Sequence, residues 1–540
     1  MSRTRINRHL EVVARAIRAG RQQGIPALEM YGIQQEQRRA RLRRRDVLLG
    51  LGALPLLGGC TVPILGDTSW PADTAAVDSS ARVAVVGGGL AGLACCHRLA
   101  KAGVRADLYE ASPSRLGGRV RTGRDLFTEA SGVVTELGGE FIDSNHTELR
   151  SLIDELGLSL VDLTADESLS DVYWFGGRRV SPATVFAGLT PVIDACDAAL
   201  TSVHSDEISY LNPCGAETLD QLSIPDFLAT TGATTATASL LELMMTNLEG
   251  VDAADQSALN LLYALVWEGT ESDERYTLSG GSDTLITALG ELYADQIQLG
   301  RALEALLRNA DGTYTLRFSD GTEVEADMVV LAIPFTLLRE VDLQIGQSEV
   351  KQRCIDELGY GSNAKLLVPY QRPIWREQGD NGYILTNEAF QSTWDSSRMQ
   401  GSDIGVLTTY VGGSAGEALC DGTASEQAAS VVDAVEAIWP GSADLAGTDP
   451  TRAPWPIEPW SKGSYSCYRV GQWTGIGGAE AEAVGHVYFA GEHTSLISQG
   501  YMNGAAETGK AAAEQVLAAL AGTTYRRPVR AARRRPARRA

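Results

Sequence analysis

Three glycines and one carboxylate carry the clearest chemistry in this chain. Gly87, Gly89 and Gly92 stand in G-x-G-x-x-G spacing directly after the apolar run Val83–Val86, and Glu110 follows 21 residues beyond Gly89. That combination suits a dinucleotide. Gly87 permits a tight turn, Gly89 lets the backbone approach a pyrophosphate, and Gly92 lets the next helix pack closely. Leu90 and Ala91 open that helix at its positive end, where N–H groups face phosphates. Glu110 can accept from both ribose hydroxyls and would repel a 2′-phosphate, which disfavours NADP. Lys365 is a second candidate: it is a lone lysine in the apolar stretch Asn363–Val368. A buried lysine is costly unless it has a partner or a task.

These residues need particular elements to hold them. The uncharged run at 83–86 predicts a strand buried on both faces, followed by a helix over Leu90–Ala102 and a strand over Ala106–Tyr109. Ile297–Leu299, Tyr314–Phe318 and Met328–Ile333 also read as strands, with a hairpin turn at Ser319-Asp320-Gly321. Residues 181–270 are rich in Ala, Leu and Thr at helical spacing. The fold class this predicts is α/β: a Rossmann-like dinucleotide domain plus a discontinuous α+β substrate-binding domain.

Further segments identify the dinucleotide. Arg115-Leu116-Gly117-Gly118-Arg119-Val120-Arg121-Thr122 follows Glu110 closely. Near the far end, His486–Glu492 reads as a buried strand ending in Gly491-Glu492, and Gly500–Lys510 opens a helix. Here, from about residue 81 to about residue 520, the chain resembles the flavin-dependent amine oxidase family, which includes the monoamine and polyamine oxidases. The resemblance implies FAD in a domain of the G-x-G-x-x-G/G-G-R flavoprotein type. It places Arg115, Gly118 and Arg119 along the pyrophosphate, and Leu303 at the adenine side. It puts Gly491 and Glu492 at the pyrophosphate and ribityl chain, and Tyr501 and Met502 at the helix end facing the isoalloxazine. It gives Lys365 a water at flavin N5.

The same resemblance makes Tyr465 and Tyr501 the walls of an aromatic cage. Two facing rings hold an amine by cation–π attraction and aim its α-carbon at N5. On that account a ring without its hydroxyl should serve nearly as well. Ser464 stands where covalently flavinylated relatives have cysteine, so FAD is expected to be non-covalent. Amino-acid oxidases carry an arginine for the substrate carboxylate near Glu140-Phe141-Ile142. Its absence favours an amine without an α-carboxylate, although other arginines such as Arg372 could fill that role. The implied reaction is oxidation of an amine to an imine, which water hydrolyses to an aldehyde or ketone plus an amine or ammonia. O2, giving H2O2, or a periplasmic electron carrier would take the electrons. An L-amino-acid oxidase, a desaturase or a non-catalytic FAD-binding lipoprotein are the alternatives.

The implied domains are interleaved: 81–135, 275–335 and 480–522 bind FAD, while 136–274 and 336–479 form the substrate side. Residues 61–80 read as a linker. Residues 1–60 read as a targeting segment outside the fold. Arg43-Arg44-Arg45-Asp46-Val47-Leu48 resembles a twin-arginine signal, followed by an apolar stretch, Val47–Leu57, too short to span a bilayer. Leu57-Gly58-Gly59-Cys60 resembles a lipobox, with Cys60 as the lipidated residue. The expected partner is therefore the twin-arginine translocase, and the expected location is the periplasm or the outer side of the inner membrane. The Arg-rich stretch 523–540 reads as a disordered tail. The net charge of −22 conceals an asymmetry. Residues 1–60 hold twelve Arg against four acids and 526–539 hold eight Arg, which leaves 26 basic and 64 acidic residues, a net −38, between them. A body so acidic argues against nucleic acid as a partner. The eight Cys and six His show no metal-ligand spacing.

Overall fold

The computed structural model describes residues 4–26, 29–34, 80–128, 132–166, 169–203, 205, 207–266, 272–388 and 390–525. Arg43–Leu48, Val47–Leu57, Cys60 and the tail from 526 lie outside the described residues.

A five-stranded parallel sheet carries the first motif. Its strand order is Val487–Phe489, Met328–Leu331, Val83–Val86, Ala106–Glu110, Ile297–Leu299. All four residues of Val83–Val86 are buried, as a central parallel strand requires. Helices Leu90–Lys101 and Met502–Leu520 pack together on one face, against Val83, Val85, Leu108 and Val330. The other face, through Ala84, Val86 and Tyr109, meets Leu306, Leu316 and Phe318 of a four-stranded sheet. The two ends of the dinucleotide domain thus come from opposite ends of the chain.

A six-stranded mixed sheet forms the second layer, in the order Thr451–Pro454, Ala364–Tyr370, Gly405–Val411, Ser392–Asp395, Asp380–Thr386, Ser170–Trp174. Helix Ala424–Ile438 covers one face through Val431, Val435 and Ile438 against Leu366, Val368 and Leu407. Strand alternation turns Lys365, Tyr410, Ser392 and Trp394 the other way, toward the dinucleotide domain. The helices between 182 and 266 make a third unit with its own core. The α/β architecture expected from the sequence is the one observed.

The N-terminus departs from expectation. Thr4–Gln23 is a helix whose Val13, Ala14 and Ile17 join the core of the helical unit, so it does not stand apart from the fold. Arg18 donates to Asp197 at 2.7 Å and to the Leu265 carbonyl at 3.1 Å. The basic composition that suggested a leader conceals an apolar stripe at helical spacing. Ile17→Ala is expected to cost about 2–4 kcal/mol in urea unfolding. An unchanged midpoint would mean the helix contributes nothing to the body.

Candidate active site

A cavity of about 1610 Å³, open mouth included, runs along the C-terminal ends of the parallel strands. Gly87, Gly89, Leu90 and Ala91 line it, with Glu110, Gly118, Arg119, Leu303, Gly491, Glu492, Tyr501 and Met502. Tyr465 lines it too. Residues from five separate stretches of sequence therefore share one wall, where a ligand of an open parallel sheet binds.

The cradle fits a pyrophosphate. A Cβ on Gly89 would find no heavy atom nearer than 4.0 Å, and one on Gly118 nothing nearer than 3.5 Å, so side chains there would fill cavity space. Gly87 has φ +106°, and a Cβ on it would lie 2.5 Å from the Ala332 carbonyl oxygen. Glu110 accepts from Gly88 N and Ser112 N, each at 2.7 Å, which fixes the carboxylate at the end of its strand. Burial raises its pKa, while those two N–H bonds oppose the shift. Free lone pairs remain for ribose hydroxyls.

Arg119 does more than line the wall. Its Nη1 donates to Glu492 Oε1 at 2.6 Å and to the Ser464 carbonyl at 2.9 Å. Glu492 also accepts from Ser466 N, Ser466 Oγ and Gly500 N. Burial alone would raise the Glu492 pKa, but the Arg119 charge and these bonds hold it below its ordinary value. This knot joins the three stretches that the resemblance assigns to FAD and substrate. Arg115 plays a different part. It donates to the Leu116 and Gly118 carbonyls, at 3.3 and 2.9 Å, and so braces the glycine loop without lining the cavity. Gly92 is likewise outside the lining; it sits where the helix passes the Gly87 carbonyl.

Tyr465 is only 1% exposed. Its hydroxyl donates to the Leu248 carbonyl at 2.6 Å and lies 3.0 Å from the Tyr410 hydroxyl. The ring is thus anchored from behind. This changes the expectation for the hydroxyl: Tyr465→Phe removes the bonds to the Leu248 carbonyl and the Tyr410 hydroxyl, costing about 1–3 kcal/mol. Tyr501 directly precedes helix Met502–Leu520, with its backbone extended, and meets the His146 ring edge-on at 5.2 Å.

Lys365 is fully buried and does not line the cavity. Its Nζ donates to the carbonyls of Glu136 at 2.8 Å and Gly138 at 2.9 Å, and to Glu140 Oε2 at 3.0 Å. Three acceptors account for all three ammonium N–H bonds. In this arrangement the water expected at Lys365 has no proton to accept from it. The other oxygen of Glu140 accepts from Trp394 Nε1 at 2.9 Å. The sequence reading missed Glu140, Trp394 and Tyr410 as site residues. The only signal was an acid directly after Gly138-Gly139.

Burial lifts the Glu136 pKa to about 8, against bonds from Ser282 N and Thr122 Oγ1. A folded-state pKa above the unfolded value means that the folded protein holds an extra proton between about pH 4.5 and 8. Stability from this group therefore falls as pH rises through that window. Glu136→Gln should flatten the fall of the thermal midpoint between pH 5 and 8; an unchanged slope would place the titration elsewhere.

Ser464 Oγ donates to Asn363 Oδ1 at 2.7 Å. Cys467, the nearest thiol in sequence, accepts from Asn260 instead and does not line the cavity. Acid precipitation should accordingly release all flavin to the supernatant. Flavin absorbance left in the washed pellet would show a covalent link.

Fold and cavity together define a dinucleotide flavoprotein with a buried aromatic and ionic floor. Comparison with known proteins gives the family. The profile described as flavin containing amine oxidoreductase matches residues 90–517, and the chain belongs to that family, whose cofactor is FAD. It is 24% identical over 470 residues to an L-amino acid dehydrogenase of Synechocystis sp., covering 83% of this chain and 98% of that protein. It is 26% identical over 466 residues to amine oxidase [flavin-containing] B of Sus scrofa, covering 82% and 87%. Cyclohexylamine oxidase from Brevibacterium oxydans superposes with a TM-score of 0.72 at 22% identity, over 82% of this chain and 99% of that one. Putrescine oxidase bound to putrescine superposes at 0.70, with 22% identity and coverages of 81% and 99%.

Proposed function

We propose that this flavin amine oxidoreductase oxidises an amine without an α-carboxylate to an imine, which water hydrolyses to a carbonyl compound plus an amine or ammonia. The observation that carries this reading is that Tyr465 and Tyr501 both lie on the wall of the cavity that holds the dinucleotide glycines. When bound, FAD accepts the hydride equivalent from the substrate α-carbon. The chain's own residues orient and enclose. Tyr465, anchored through Leu248, and Tyr501, set by the helix it precedes, restrict the amine between two ring faces. The ring faces attract the ammonium form as it enters; having lost its proton to water, the amine is held by ring contact and reacts uncharged.

The arginines support the choice of amine. Among the described residues, Arg119 on the cavity wall is engaged by Glu492 and Arg301 by Asp320, while Arg372 is an exposed partner of Glu377. Each of the three guanidiniums is thus already paired with a carboxylate of the chain. The Synechocystis relative's name keeps an L-amino acid as the second reading. Bleaching of the flavin by a panel of amines and L-amino acids under anaerobic conditions decides between them. Tyr465→Ala and Tyr501→Ala should each slow that bleaching by a barrier of about 1–3 kcal/mol while flavin stays bound. If neither variant slows it, the cage is misassigned. O2, giving H2O2, is the acceptor the family likeness supports; a small electron carrier is the alternative.

The Arg43–Leu48 and Cys60 motifs further support export by the twin-arginine route to the outer side of the inner membrane; processing to a lipid anchor at Cys60 would remove helix Thr4–Gln23, whose packing then belongs to the precursor alone. That route carries folded proteins, which suits a chain that must load FAD first. Arg44→Lys with Arg45→Lys should leave precursor in the cytoplasm, and Cys60→Ser should release the protein from membranes. Wild-type distribution of both variants would remove the proposal.

A further inference from the structure

The buried ion pair Lys365–Glu140 lies behind the cavity wall at Gly139. Lys365 bonds the Gly138 carbonyl; the next residue, Gly139, lines the cavity, and a Cβ there would lie 2.8 Å from Met502 Sδ at the start of the C-terminal helix. The ammonium is therefore one peptide unit from the cofactor space. Its charge is matched by a carboxylate that is itself pinned by Trp394.

Passing electrons from reduced flavin to O2 is sensitive to such charges. Two electrons and two protons convert O2 to H2O2, and the first electron places a negative charge on O2. An unmatched ammonium nearby favours that step; a carboxylate at 3.0 Å cancels most of the effect. We propose that Glu140 is a positioning residue that restrains reaction with O2, by holding the third N–H of Lys365 and compensating its charge. The proposal rests on the flavin-enzyme reading of the site, but not on which donor is oxidised. It differs from the water-binding role expected of Lys365, because the group in control is the acid and the sign of its effect is opposite.

The test uses the FAD-loaded full chain, reduced anaerobically with dithionite and mixed with O2 in a stopped-flow instrument, so no amine is needed. Glu140→Gln is expected to speed reoxidation at least about tenfold and to raise the flavin midpoint potential measured by dye equilibration. Unchanged rate and potential, or a fall in both, would overturn the proposal. Because a single change in a buried ion pair can prevent folding, the double variant Lys365→Met with Glu140→Gln carries the test independently. It replaces the pair by a neutral one of similar volume. Its reoxidation should stay within about threefold of wild type. A hundredfold loss would show that the ammonium acts uncompensated, and the restraint by Glu140 would be wrong. Failure to bleach with amines would count against the amine reading and leave this one standing.

Discussion

Arg119→Ala is expected to abolish FAD retention and to lower folding stability by about 3–5 kcal/mol. The reason is what remains behind. Glu492 is 5% exposed and keeps its charge through Arg119, Ser466 and Gly500. Removing the guanidinium leaves a buried carboxylate without its counter-charge, and it unties the Ser464 carbonyl at the same time. The glycine loop, the Gly491-Glu492 turn and the Ser464–Ser466 segment would lose their common centre. Gel filtration followed by flavin absorbance reads the first effect, and urea unfolding the second. Full flavin content with an unchanged midpoint would show that the knot is incidental. Arg119→Lys should retain part of the flavin, because it restores the charge beside Glu492 but not the planar guanidinium on the cavity wall.

Gly92→Ala should be of comparable severity, at about 3 kcal/mol or more, with loss of flavin. A Cβ at this position would overlap the Gly87 carbonyl oxygen and stand 3.3 Å from Val85 Cγ1. Both neighbours belong to the strand and turn that make the phosphate cradle, and neither is a flexible side-chain end. The helix can relieve the overlap only by moving off the strand, which pulls its N–H groups from the phosphate position. Gly103→Ala is the control. It has φ +79° and no heavy atom within 4 Å, so it should cost only about 1–2 kcal/mol of backbone strain and leave flavin bound. Equal behaviour of the two variants in thermal melts would contradict the close-packing argument.

Much of the molecule was readable along the chain because its signals are local. Val83–Val86 has to be a doubly buried strand, and Gly87, Gly89 and Gly92 have to be glycines where backbone meets backbone or ligand. Glu110 ends its strand within reach of Gly88 because the helix between them has a set length. The strands at 297–299, 314–318 and 328–331, and the helix after Tyr501, follow from periodicity and turn residues in the same way.

The tertiary structure alone decided the rest, which depends on pairs far apart in sequence. Arg119 and Glu492 are 373 residues apart, Lys365 and Glu140 are 225, and Tyr410 and Tyr465 are 55. Lys365 in an apolar strand announces that it needs partners; nothing nearby says whether they are a water, carbonyls or an acid. Tyr465 as a ring is legible, but its anchoring through Leu248 depends on where a helix from another layer ends. The helix Thr4–Gln23 reads as a basic leader until Asp197 and the core of the helical unit are brought beneath it. Composition sets what a segment can bury or charge; only the packed fold supplies the opposite surface that determines which of those capacities is used.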